Sequence, residues 1–529
     1  MAARHSSGSY PGVIMTGHRR LAAAVVLLAL TLTGCTSGGD DTATAASSSA
    51  APAAPVAQPV QWTDCDADID TIIAGRPGAD RDIAFSCGTT TVPASYDDPA
   101  GGPLDLFLVR ATLAGQTDRI GSLLVNPGGP GQSATDAAVQ SALTLPEDVL
   151  RRFDVVGLDP RGAGLSTPVE CISDQQKDQL FSVDPRTADA AALDTAFAQV
   201  DAVAAGCADK YKDALGAFDT VDSARDMDLV RESLGDEQLT FLGYSYGTTL
   251  GSTYAELFPA RVRALVLDGA VDPDAGGQEF AEQQAQGFEA AFDAFAANCT
   301  GLLAGCPIGG DPRAFVTDLL TQAATTPVPS TRAGETRQAT PGLVLNGIRS
   351  ALYQPSAWPQ LAQSLAAARN GDAAGILTLA DTYTGRNDDG TYTNVVDANV
   401  AVTCADTDER FTADQVRTVL ADWNTKYPLF GADAALGLYT CSPWQAPRTP
   451  LPARDAAGSA PILVVGTKGD PVTPLAGAED MAAGLASGTL LTWEGNGHTA
   501  YPKTDCVTAA VDAYLVDLVV PAEGTTCPA

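Results

Sequence analysis

A serine between two glycines, a single late histidine and an aspartate ahead of it are the residues whose types and order here point to chemistry. Ser245 is the centre of Gly243-Tyr244-Ser245-Tyr246-Gly247, a G-x-S-x-G motif. A serine hydroxyl is a poor nucleophile near neutral pH and needs a positioned base. The chain has 3 histidines. His5 and His18 lie in or before an N-terminal apolar segment expected to be removed, which leaves His498, in Gly495-Asn496-Gly497-His498, as the base. A third group must orient the imidazole and stabilise its charged form. Asp470, at the end of Val464-Val465-Gly466-Thr467-Lys468-Gly469-Asp470, is the expected partner, with Asp268 the alternative. Hydrolysis through Ser245 also requires two backbone N–H donors for the developing oxyanion. One is expected from Tyr246, the other from Gly128-Gly129-Pro130-Gly131. Proline has no N–H, so Gly129 is the first choice and Gly128 the second. No G-K-[ST] follows these glycines, so a phosphate-binding loop is not expected.

These residues need a scaffold that carries them to one place. Residues 238–242 are rich in strand formers, and 248–258 are expected to form a helix stopping at Pro259, so Ser245 falls at a strand-to-helix turn. Buried-type strands are expected at 121–125, 153–158, 262–267, 461–466 and 489–493. Helices are expected at 221–234 and near 476–485, with 507–519 closing the fold. Strands alternating with helices imply a mostly parallel sheet covered on both faces, an α/β fold. Residues 84–92 and 104–111 alternate between runs of turn residues and predict an antiparallel start to that sheet. The rhythm breaks over 275–400, where helices are expected at 279–298, 312–324, 341–353, 358–370 and 373–383, followed by another at 409–428. The expected organisation is a core at 61–274, a helical lid at 275–400 inserted after the strand at 262–267, and the rest of the core at 401–529. Asp159 and Arg161 in Asp159-Pro160-Arg161-Gly162 are expected to brace their loop rather than do chemistry.

The charge balance, 31 Lys+Arg against 64 Asp+Glu for a formal net charge of −33, repels nucleic acid and anionic lipid. At the N-terminus, His18-Arg19-Arg20 precede an apolar run at 21–32 that is too short to span a bilayer. The run ends in Leu32-Thr33-Gly34-Cys35, which resembles a bacterial lipobox; the alternative is an ordinary secretory signal. The expectation is a leader over 1–34, lipid on Cys35, and a flexible tether of Ser, Ala, Thr, Gly and Pro to residue 60. The protein would then be a membrane lipoprotein facing outward, or secreted. Of 11 cysteines, setting Cys35 aside leaves an even number, which in an exported chain argues for disulfides. Sequence does not fix connectivity. Pairing in chain order gives Cys65–Cys87, Cys171–Cys207, Cys299–Cys306, Cys404–Cys441 and Cys506–Cys527. No metal site and no cofactor are expected, because neither C-x-x-C pairs nor clustered histidines occur.

Taken together, Asn126-Pro127-Gly128-Gly129-Pro130-Gly131, Asp159-Pro160-Arg161-Gly162, Gly243-Tyr244-Ser245-Tyr246-Gly247-Thr248, Asp268-Gly269, Gly469-Asp470-Pro471 and Gly497-His498 resemble the tripeptidyl aminopeptidase branch of the α/β-hydrolases. Proline iminopeptidases are related but usually open the oxyanion loop with His-Gly-Gly, where this chain has Pro127-Gly128-Gly129. The resemblance implies a serine exopeptidase that removes short peptides, often tripeptides, from a free N-terminus. It also implies an acidic group for the substrate's α-ammonium, for which Glu279, Glu282, Glu289 and Asp406 are candidates. A carboxylesterase or lipase on the same triad, and a non-catalytic surface lipoprotein, are the competing readings.

Overall fold

The computed structural model describes residues 56–187 and 189–529. The expected leader, Cys35 and most of the tether lie outside the described residues.

Ten strands form one sheet: β1 (Gln61–Asp64), β2 (Ile83–Pro93), β3 (Pro103–Leu113), β4 (Gly121–Asn126), β5 (Phe153–Leu158), β6 (Leu239–Tyr244), β7 (Val262–Asp268), β8 (Ile462–Gly469), β9 (Gly488–Asn496) and β10 (Thr525–Cys527). Their order across the sheet is β1-β2-β3-β5-β4-β6-β7-β8-β9-β10. The first three strands and the β3–β5 pairing are antiparallel, and from β5 to β10 every pairing is parallel. The antiparallel start and parallel core are as expected. The short edge strand β10 was not. At three residues it is too brief to carry a periodic signal, and its place beside β9 comes from tertiary pairing.

Strand periodicity explains the two covered faces. Leu123, Val125, Val155, Val266, Leu463 and Val465 pack on one side with the helices Ala134–Thr144 and Asp505–Asp517. Their neighbours Leu124, Val156, Leu265, Leu267, Ile462 and Val464 pack on the other with the helices Thr220–Ser233, Tyr246–Leu257 and Leu475–Gly484. Successive side chains on a strand point to opposite faces, so a run of apolar residues serves both layers.

Between β7 and β8 the described residues form helices from Gly277 to Gly437 and no strand longer than an isolated bridge. The boundary expected at 400/401 falls inside the helix Val395–Asp406. Much of this segment has its own apolar core, built on Phe292, Phe295, Leu319, Leu345, Leu361 and Leu377, and Val472 from the loop after β8 joins it. Helix Gly277–Thr300 lies directly on that loop: a Cβ on Gly287 would come within 2.6 Å of the Pro471 carbonyl. All five disulfides join the cysteines paired in chain order. Among the described residues no helix is long and apolar enough to cross a membrane.

Candidate active site

Ser245 stands between β6 and the helix Tyr246–Leu257 with φ +56° and ψ −126°. A non-glycine residue in this region is strained, and such strain persists only where the surroundings over-determine it. The flanking glycines show how. A Cβ on Gly243 would lie 2.4 Å from the Gly247 carbonyl, and one on Gly247 would lie 2.9 Å from that of Asn126. Strand, turn and helix therefore close on each other too tightly for side chains, which pushes the serine outward from the end of the sheet.

The histidine and aspartate arrive from the loops after β9 and β8. His498 Nδ1 lies 3.0 and 2.9 Å from the two carboxylate oxygens of Asp470. Asp470 is buried and also accepts from the backbone N–H groups of Val472 (2.9 Å), Thr473 (3.0 Å) and Thr499 (3.1 Å). Burial pushes its carboxyl up, but the His498 imidazole and the Thr473 and Val472 N–H groups outweigh that and hold it below the usual carboxylate range. It is therefore a carboxylate at neutral pH, which fixes the Nδ1–H tautomer and leaves Nε2 to take a proton. The imidazole reaches the serine turn through Gly269. Ser245 N donates to the Asp268 carbonyl at 2.9 Å, and a Cβ on the next residue, Gly269, would sit 3.2 Å from His498 Cε1. Ser245 Oγ is not hydrogen-bonded to the imidazole here, and such pairs often tighten only around bound substrate.

Asp268, the alternative acid, instead accepts from Ala500 N (3.0 Å) and Tyr501 N (2.8 Å). Burial lifts its carboxyl to about 6. Its carboxylate pins the backbone just past His498.

The N–H groups expected to serve an oxyanion differ in whether they are already taken. Gly128 N donates to Asn126 Oδ1 at 3.0 Å. Gly129 N and Tyr246 N have no acceptor among the described residues. Tyr246 opens a helix, where the first N–H groups have no intrahelical partner. The loop is pressed onto the serine turn: a Cβ on Gly128 would be 2.8 Å from Ser245 Cβ and 3.0 Å from Tyr246 N.

Two neighbours were not foreseen. Thr473 Oγ1 donates to Asp470 Oδ2 at 3.1 Å and lies 3.2 Å from His498 Nδ1. Tyr353, from the helical segment, accepts from His498 N through its carbonyl at 2.8 Å, and its ring meets the imidazole edge-on with centroids 5.4 Å apart. Thr473 sits three residues after Asp470, a spacing that a search for side chains able to bond the acid would have caught. Nothing in the local sequence marks Tyr353.

Of the carboxylates considered for the substrate amine, Glu282 is paired with Lys426 and Glu289 with Arg313. Asp406 accepts from Thr220 N (2.9 Å) and Oγ1 (2.7 Å), and burial raises its carboxyl to about 7. The same Thr220 hydroxyl bonds the Tyr246 phenol. Glu279 is exposed at the start of its helix. Asp159 and Arg161 are both structural but do not pair with each other. Asp159 accepts from Thr135 N (2.9 Å) and Leu165 N (2.9 Å), while Arg161, fully buried, pairs with Asp226 (2.7 Å) and Asp222 (3.2 Å).

A parallel sheet with a strained serine turn at one strand end and an Asp–His pair at two others defines the class. Residues 121–503 match the alpha/beta hydrolase fold family, and the chain belongs to it. It is a serine hydrolase of that family. It is 38% identical over 525 residues to serine protease Hip1 of Mycobacterium tuberculosis, covering 96% of each chain. It is also 37% identical over 501 residues to carboxylesterase B of the same species, covering 90% of this chain and 91% of the relative. To tripeptidyl aminopeptidase of Streptomyces coelicolor it is 30% identical over 498 residues, covering 88% and 86%.

Proposed function

We propose that this chain is an exported serine exopeptidase that releases short peptides from the free N-terminus of its substrates through an acyl-enzyme on Ser245. In this reading His498 Nε2 takes the Ser245 proton as Oγ attacks the scissile carbonyl. Asp470 holds the imidazolium, and the N–H groups of Gly129 and Tyr246 receive the oxyanion. His498 then gives its proton to the leaving amine, and water, deprotonated by the same imidazole, releases the acyl group. The helices between β7 and β8 serve as the lid. The observation that carries the proposal is the His498 Nδ1–Asp470 contact at 2.9 Å, linked through Gly269 and Asp268 to a serine held at φ +56°.

The names of two relatives, a serine protease and a tripeptidyl aminopeptidase, support peptide substrates. The five disulfides support export, and export is the premise for lipid on Cys35. Carboxylesterase B, at comparable identity, favours a second reading as an esterase. A panel separates the two: free and N-acetylated tripeptide anilides beside p-nitrophenyl esters, on wild type and Ser245→Ala. The exopeptidase cleaves free-amine anilides, loses them on acetylation, and loses everything with Ser245→Ala. Rapid ester turnover with no anilide cleavage would establish the esterase instead.

A further inference from the structure

A cavity of about 270 Å³ lies among the helices Asp174–Phe181, Ala190–Tyr211, Pro341–Leu352, Ala374–Thr384 and Gly431–Gly437. One helix ties it to the catalytic histidine. Gly342, Asn346 and Arg349 line the cavity, and at spacings of four and three residues they share one helical face. Four residues further along that face stands Tyr353, whose ring and carbonyl both touch His498. At 1.5 Å per residue, Arg349 is about 6 Å and Asn346 about 10 Å along the axis from Tyr353. A second link is aromatic. The Tyr353 ring meets that of Tyr383, centroids 6.1 Å apart, and Tyr383 lines the cavity. An extended peptide advances about 3.3 Å per residue. On that scale the roughly 6 to 10 Å back to Tyr353, the residue against the histidine, is the reach of about two to three extended residues.

Its chemistry selects an occupant. Leu180, Phe181, Phe197 and Leu436 make apolar walls. The charged groups within it neutralise each other: Arg349 pairs with Asp433 at 2.7 Å and is held over the rings of Phe288, Tyr383 and Phe430. A charged ligand group would have to break that pair, whereas an apolar one leaves it intact. Gln199 also lines the cavity, and its buried Oε1 has no hydrogen-bond partner among the described residues. An unpaired buried acceptor of this kind is normally satisfied by something.

We propose that this cavity is a specificity pocket, taking an apolar side chain of a peptide substrate a few residues from the cleaved bond, with Gln199 Oε1 accepting a backbone N–H of the same peptide. This rests on the peptidase reading for its substrate class, but its test needs no turnover. Alanine hexapeptides carrying a single leucine at each position in turn are titrated calorimetrically into Ser245→Ala protein. The same titrations are run with Leu436→Trp or Gln199→Leu added, two changes on different helices, with thermal unfolding to check that each variant folds. Leucine at one position is expected to tighten binding at least tenfold over alanine. Leu436→Trp, which fills the cavity, abolishes that preference. Gln199→Leu weakens the leucine and alanine peptides alike, by about tenfold. Equal binding wherever leucine stands, or a leucine preference that survives Leu436→Trp, overturns the pocket. Absence of anilide cleavage by wild type would sink the peptidase reading alone, because the titrations stand without it.

Discussion

Replacing Asp470 by Asn tests the site at its most constrained group. Both carboxylate oxygens are committed. Oδ1 accepts from Val472 N and Thr473 N, Oδ2 accepts from Thr499 N and the Thr473 hydroxyl, and both lie within 3.0 Å of His498 Nδ1. An amide keeps one oxygen, so its NH2 must face N–H donors whichever way it is turned. The oxygen goes where two backbone N–H groups meet it, and the NH2 donates to the imidazole. Nδ1 then becomes the acceptor, Nε2 carries the proton, and the base is lost with its position unchanged. A wrong-tautomer imidazole lowers kcat on the order of 10⁴-fold in a serine triad, about 5 kcal/mol of barrier. KM is expected to change little, because Asp470 is buried with both oxygens already bonded within the protein. Stability falls by about 1–3 kcal/mol for the opposed buried donor. The assay is steady-state cleavage of whichever substrate the panel identifies, with thermal unfolding in parallel. An Asp470→Asn protein that folds and keeps more than a tenth of wild-type kcat refutes the assignment. Thr473→Val, which removes one hydroxyl from the same carboxylate, is expected to lower kcat about tenfold at unchanged KM, the scale of a single hydrogen bond.

Three further outcomes are expected. Gly128→Ala places a Cβ 2.5 Å from the Tyr244 carbonyl and 2.8 Å from Ser245 Cβ at φ +95°; if the Gly128-Gly129 loop supplies the proposed oxyanion donor, kcat should fall at least about a hundredfold as it is displaced, and unaltered kcat would show that the loop does not set the site. Removing Cys506–Cys527, which closes a separation of 21 residues and staples β10 to the last helix, should cost about 3 kcal/mol, read as a lower unfolding midpoint with kcat retained. Burial raises the carboxyls of Asp136, Asp219 and Asp268 to about 6 and that of Asp406 to about 7. Such groups bind protons more readily folded than unfolded, so the native state carries more protons between about pH 4 and 7 and stability falls as pH rises through that window. The unfolding midpoint should be higher at pH 5 than at pH 7.5; a midpoint that rises with pH over this range would contradict the burial of these four groups.

What the sequence determined by itself was whatever depends on neighbours along the chain. The apolar runs of β4 to β9, the glycines on either side of Ser245 and the place of His498 after the last long strand are local signals, because strand period and steric closeness at a turn act over a few residues. The order Ser, Asp, His and the even cysteine count added long-range information without geometry. The tertiary structure decided the rest. It set Asp470 rather than Asp268 against the imidazole, because both follow parallel strands and only the packing of the His498 loop brings one carboxylate to Nδ1 and the other to the Ala500 and Tyr501 N–H groups. It occupied the Gly128 N–H with Asn126 and left that of Gly129 unpaired. It laid Tyr353, more than a hundred residues from either the serine or the histidine, against the imidazole. Contacts between residues far apart in the chain depend on how separately formed elements pack, and no local pattern records that.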